Sequence, residues 1–97
     1  MADEIIKKYE LTDETKEVYG RTLYRIKALV DIPRAGIRAG DLGGWVGSEY
    51  NLDHEGDCWI GSGAHVYVNV RVHGDAQICG DIQIYGDARI HGGRIYG

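Results

Sequence analysis

From Ala64 to Gly93 the chain reads Ala64-His65-Val66-Tyr67-Val68-Asn69, Val70-Arg71-Val72-His73-Gly74-Asp75, Ala76-Gln77-Ile78-Cys79-Gly80-Asp81, Ile82-Gln83-Ile84-Tyr85-Gly86-Asp87, Ala88-Arg89-Ile90-His91-Gly92-Gly93, five units with a period of six. One phase is β-branched and apolar throughout, running Ile60, Val66, Val72, Ile78, Ile84, Ile90; the phase two residues earlier is small or apolar, running Cys58, Ala64, Val70, Ala76, Ile82, Ala88. Alternation of period two within each unit marks a short strand with one buried face. The Gly-Asp that closes most units marks a turn, because Gly accepts positive φ and Asp bonds its own backbone.

A meander of hairpins would use similar turns. Strands this short and uniform, each repeating the same inward pair, suit instead a chain that always bends the same way. Three hexads then close one triangular coil of about 18 residues, and coils stack at the parallel-strand spacing of about 4.8 Å. The expectation is an all-β fold: a left-handed parallel β-helix of about three coils over residues 41–97, with an antiparallel β cap over residues 1–40. Leu42, Val46 and Leu52 fall on the inward phases and begin an irregular first coil near Gly40, with Ser48 and His54 as polar intrusions. In the cap, Tyr9–Thr12, Lys16–Arg21 and Thr22–Val30 read as two or three strands joined by turns at Thr12–Thr15 and Tyr19–Arg21. A hairpin there protects the open edge of the first coil.

Composition agrees with regular turns. Fifteen glycines accompany one proline, no phenylalanine, seven tyrosines and two tryptophans in 97 residues, glycine at about twice its usual frequency. A chain of this length forms one ordinary domain with little room for a large active-site cavity. Charge is uneven: residues 1–40 hold eight Lys/Arg against seven Asp/Glu, and residues 41–97 hold three against eight. An acidic repeat half disfavours direct nucleic-acid binding, which needs a basic face. The start, Met1-Ala2-Asp3-Glu4, has no signal-peptide character and no stretch is long enough to span a membrane. The expected setting is the cytoplasm, with Cys58 and Cys79 as reduced thiols.

The hexads resemble the bacterial hexapeptide-repeat superfamily, whose best-known members are trimeric acyltransferases. Lys8-Tyr9-Glu10-Leu11-Thr12, Arg21–Ile26, Gly40-Asp41-Leu42-Gly43-Gly44-Trp45-Val46 and Glu55-Gly56-Asp57-Cys58-Trp59 look more specifically like short phage and prophage hexapeptide-repeat proteins. That likeness covers nearly the whole chain and implies origin in a mobile element and the cytoplasm of a bacterial host. The sequence departs from the acyltransferases in having few coils, no long excursion loop and no C-terminal helix.

If outward residues 18 positions apart stack, His73 and His91 share a column with Glu55, Tyr67 and Tyr85 with Glu49, and Arg71 and Arg89 with Asp53. Glu55, His73 and His91 are the weak metal or acid–base candidates; a surface ladder is the bland reading, since a third nitrogen or sulfur donor is missing. His65 invites comparison with the acyltransferase histidine but has no carboxylate to orient it. Asp57, Asp75, Asp81 and Asp87 with Glu49 and Asp53 form an acidic face that could imitate a phosphate array to a partner, or could simply be good turn formers. Ile84, Ile90, Ile95 and Tyr96 lie at an uncapped end that a second copy could cover, a dimer in preference to a trimer. No catalytic residue and no cofactor are assigned. These features point to a non-catalytic, oligomeric, acidic binding or structural protein that inhibits a host defence or nucleic-acid-processing complex; a minimal acyltransferase or its remnant is the alternative.

Overall fold

The computed structural model describes residues 7–96. Among these residues there are ten strands: β1 (Tyr9–Val18), β2 (Arg21–Ala28), β3 (Leu42–Val46), β4 (Trp59–Ile60), β5 (His65–Val66), β6 (Arg71–Val72), β7 (Gln77–Cys79), β8 (Gln83–Ile84), β9 (Arg89–Ile90) and β10 (Arg94–Tyr96). Two short 3₁₀ turns, Pro33–Ala35 and Glu49–Asn51, flank β3. The strands make a five-stranded sheet in the order β1-β2-β3-β5-β8, a three-stranded sheet β10-β7-β4 and a two-stranded sheet β6-β9.

The all-β class stands, but the regular left-handed β-helix with a separate cap does not. The largest sheet is mixed, because β3 pairs antiparallel with β2 on one edge and parallel with β5 on the other. The parallel strands are two or three residues long and divide among three sheets. Their spacing also drifts. Trp45 pairs with His65 and Leu52 with Val72, twenty positions on; Trp59 with Gln77, His65 with Gln83 and Arg71 with Arg89 are eighteen apart; Gln77 and Arg94 are seventeen apart. The change from twenty to eighteen falls between Leu52, which pairs with Val72, and Trp59, which pairs with Gln77: six residues there face four, so the stretch 53–58 bulges by two. The Glu49–Asn51 turn before it keeps step with its neighbour, since Val46–Leu52 and Val66–Val72 have the same length. Ser48 Oγ accepts from the Tyr50 N–H, and Asn51 Oδ1 accepts from the backbone N–H of Gly47 and Ser48, a capping arrangement that closes the turn.

The N-terminal hairpin is therefore part of a sheet rather than a lid. Its turn, Tyr19-Gly20, has φ of 51° and 79°, positive at both central positions as the right-handed strand twist requires. Gly43 and Gly44 let β3 sit close to its neighbours. A Cβ on Gly44 would collide with the carbonyl oxygens of Gly61 and Ala64, and one on Gly43 would lie 2.6 Å from the Trp59 ring.

One core runs through both halves of the chain. Tyr9, Ile26, Ala28 and Ile32 from the N-terminal segment pack with Val46, Leu52, Cys58, Ile60, Ala64, Val66, Val70, Val72, Ala76 and Ile78. The two inward phases are thus buried in the middle of the repeat. Leu42 breaks the pattern at 45% exposed, because it lies on the free side of β3 opposite Lys27. Toward the end, Ile82, Ile84, Ile90 and Ile95 are only partly covered.

Candidate functional site

The outer face of the five-stranded sheet carries the densest chemistry. Arg25, Trp45, His65 and Gln83 lie in register across β2, β3, β5 and β8. The Lys16 ammonium sits 4.5 Å and the Arg25 guanidinium 4.7 Å from the Trp45 ring centre. Each desolvated cation–π contact contributes on the order of 1–2 kcal/mol. His65 lies nearly parallel to the indole, 6.4 Å away, and its Nε2 is 3.1 Å from Lys16 Nζ. Burial, and then the Lys16 charge, push the His65 pKa down. The neutral ring accepts from Lys16 at Nε2, so its proton sits on the buried, unpartnered Nδ1. His65 is thereby tied to a cation rather than to a carboxylate, the wrong partner for a general base.

Leu23, Trp45 and Tyr67 form a second buried cluster on this face, with Val18 and Val68 packed against it. Tyr67 stacks on Tyr85, ring centres 5.4 Å apart and planes 19° off parallel, and its hydroxyl donates to Gln83 Oε1 at 2.9 Å. Burial raises the Tyr67 pKa. Beyond this stack the hairpin tip and the β5–β6 turn enclose an open cleft of about 310 Å³, lined by Tyr19, Arg21, Tyr67, Val68 and Tyr85. Tyr67 is buried, whereas Tyr85 is 62% and Tyr19 is 84% exposed.

A second polar cluster joins the N-terminal segment to the repeats. Lys8 is 4% exposed; its ammonium donates to the carbonyls of Cys58 (2.7 Å) and Gly56 (3.2 Å) and lies 3.2 Å from Cys58 Sγ. His54 Nδ1 accepts from the Lys8 N–H, and Nε2 donates to Glu49 at 2.8 Å. The ring stacks on Tyr9, whose hydroxyl donates to the carbonyls of Glu49 and Leu52. The hydrogen bond from His54, helped by Lys7, holds Glu49 below its ordinary pKa; burial raises those of Cys58 and Tyr9. With every group partnered inside the fold, this cluster is a structural seam.

The expected site residues are only partly brought together. His73 and His91 do meet, ring centres 4.7 Å apart. The two extra residues before β4 put Asp53, not Glu55, beside this pair, with the Asp53 N–H on the Val72 carbonyl; among the described residues no group of three or more His, Cys, Asp or Glu is arranged to hold a metal. The same shift puts Gly47, not Glu49, against Tyr67. Of the acidic face, Glu49 is engaged by Lys7 and His54, Asp53 by Arg71 and Asp57 by Arg34. Asp75 accepts from the Asp57 N–H and Asp87 from the Asn69 side chain. Asp75, Asp81 and Asp87 are exposed but sit on three different turns, leading from β6 to β7, β7 to β8 and β8 to β9. They share no single face.

Ile84, Ile90 and Ile95 lie half-buried on β8, β9 and β10, and Tyr96 is 67% exposed. The sequence did not mark Lys16, Tyr19, Arg21, Arg25 or Trp45 as site residues. The usable signal was the alternation Arg21-x-Leu23-x-Arg25-x-Lys27, which sets cations along one face of β2. Among the described residues no helix is long and apolar enough to cross a membrane. Neither protein-family models nor curated protein sequences give a match to this chain.

Proposed function

We propose that the protein is a non-catalytic binding protein of the phage or prophage type its sequence resembles, working in a bacterial cytoplasm, with the outer face of the five-stranded sheet as its binding surface. The observation that carries this reading is the division of labour among side chains. Lys8, His54, Glu49 and Cys58 are spent on the internal seam, and His65 Nε2 is occupied by Lys16. What reaches solvent on this face is Tyr85 and Tyr19, with Arg21 in the same cleft, at the end of a buried row of Tyr67 and Trp45, the latter covered by Lys16 and Arg25. Aromatic side chains already held in place, Tyr19 by its turn and Tyr85 by the Tyr67 stack, bind with little loss of side-chain freedom. The acidic version of the reading loses ground, since three of its six carboxylates are neutralised by cations and the other three point from different turns.

The target class remains a host defence or nucleic-acid-processing complex. Expression of the protein should raise the plating efficiency of a phage on a host that carries an active defence system. Unchanged plating across hosts with different defence systems overturns the anti-defence reading. The acyltransferase alternative requires CoA or acetyl-CoA to raise the melting temperature through linkage.

A second reading, self-association, is favoured by the edge strands β8, β9 and β10, where Ile84, Ile90 and Ile95 are half-covered and Tyr96 is exposed. Molar mass by light scattering should report a dimer that Tyr96→Asp converts to a monomer; a wild-type monomer sinks this part.

A further inference from the structure

We infer that the cleft between the β1–β2 hairpin tip and the β5–β6 turn is a binding site for a nucleotide, either free or within a single strand, with the base on Tyr85 and the phosphate on Arg21. The inference rests on the reading of this sheet face as a binding surface and names its ligand.

Two independent features meet here. The first is backbone strain. Among the described residues the non-glycine positions with left-handed φ are Tyr19, at 51°, and Val68, at 67°, and both line this one cleft. A β-branched or bulky residue at such a φ is a genuine outlier, and strain of this kind collects where a site needs a side chain held in place. Tyr19 makes the case sharply. Asn or Asp ordinarily fills the first position of a two-residue turn before Gly, and a ring that is 84% exposed gives the fold little in return.

The second is the chemistry of the lining. Tyr67 covers one side of Tyr85 in a near-parallel stack, which leaves the opposite side of Tyr85 free. A planar base laid there continues the stack, and every base has a face that can do so. Arg21 is the charged lining residue of the cleft, and a guanidinium suits phosphate. The Tyr67 hydroxyl is already committed to Gln83, so the cleft is poor in the convergent polar groups a sugar requires. A cationic ligand in an aromatic cage would be repelled by Arg21. The volume, about 310 Å³, is at the small end for ligand sites, the scale of one nucleotide.

The test is a titration of the full chain followed by ¹H–¹⁵N NMR, with adenosine 5′-monophosphate, adenosine, ribose 5-phosphate, maltotriose and a six-nucleotide single strand as probes. The monophosphate should bind with a dissociation constant on the order of 0.1–1 mM and shift the resonances of Tyr19, Gly20, Arg21, Val68 and Tyr85. Adenosine and ribose 5-phosphate should each bind about tenfold more weakly, and Tyr85→Ala should weaken the monophosphate by about tenfold or more. Arg21→Ala should erase the preference for the monophosphate over adenosine. A hexamer that binds much more tightly than the monophosphate identifies a single strand as the source; equal binding identifies the free nucleotide. Ribose 5-phosphate as tight as the monophosphate, a preference for maltotriose, or shifts confined to Lys16 and Arg25 overturns the inference. If no nucleotide binds yet changes at Tyr19 and Tyr85 abolish the effect on phage plating, the nucleotide falls and the binding surface survives.

Discussion

Replacing Tyr19 by Asn should make the protein more stable while weakening its site. Tyr19 holds φ at 51°, followed by Gly20 at 79°, and the left-handed conformation costs an ordinary L-residue about 1–2 kcal/mol, much less for Asn. The substitution loses little burial, because the ring is 84% exposed. A net gain of about 0.5–1 kcal/mol follows, and for a domain of this size that raises Tm by about 2–8 °C. Thermal unfolding followed by circular dichroism at pH 7.5 measures it directly. The same variant should bind adenosine 5′-monophosphate more weakly than the wild type. A fall in Tm would mean instead that the ring makes stabilising contacts and that its conformation is not held at a cost.

Other outcomes follow from the packing. Asn51→Ala removes a fully buried amide that accepts from Gly47 and Ser48 and donates to the carbonyls of Val68 and Val70; urea unfolding should show a loss of about 2–4 kcal/mol. Gly44→Ala puts a methyl against the carbonyls of Gly61 and Ala64 and should cost about 3 kcal/mol or prevent folding, read by the same titration. His65 has a lowered pKa in the fold, so it binds a proton more readily when unfolded. Its contribution is complete above the unfolded value of about 6.5 and is lost as pH falls through and below it. The wild type should therefore lose stability between pH 7.5 and 5.5 more steeply than His65→Gln. Equal losses of stability in the two proteins between pH 7.5 and 5.5, measured by denaturant titration, would contradict the Lys16–His65 arrangement.

Much of the core was legible because six-residue periodicity states which side chains point inward: Ile60, Ala64, Val66, Val70, Val72, Ala76 and Ile78 are all essentially inaccessible. The parallel pairing of residues eighteen apart was legible for the same reason, as Tyr67 on Tyr85 and His73 on His91 show. The first stretch was not. Its register depends on the stretch 53–58, which holds two residues more than the segment between Val72 and Gln77 that it faces, and local pattern cannot say how many residues a loop absorbs. That error moved Glu55 and Glu49 into neighbourhoods that belong to Asp53 and Gly47. The double use of β3 was hidden as well, since Gly43 and Gly44 look like turn residues until β2 and Trp59 pack against them.

The candidate site was the least legible part. Lys16 and Arg25 meet over Trp45 only through the antiparallel register of β1, β2 and β3. The turns at Tyr19-Gly20 and Val68-Asn69 are announced by Gly20 and Asn69, but nothing in the residue types says that Tyr19 and Val68 themselves take positive φ. The acidic residues, by contrast, were conspicuous in the sequence, yet the fold sends them to separate turns.

The proposed working surface is the aromatic and cationic sheet face rather than the acidic turns. It is tested most directly by plating a defence-restricted phage on cells expressing wild type, a Tyr19→Asn/Tyr85→Ala variant, or an Asp75→Lys/Asp81→Lys/Asp87→Lys variant, with folding of each confirmed by circular dichroism. The tyrosine pair should abolish the gain in plating and the aspartate triple should preserve it. Loss with the aspartates and retention with the tyrosines would contradict that assignment and return the function to the acidic turns.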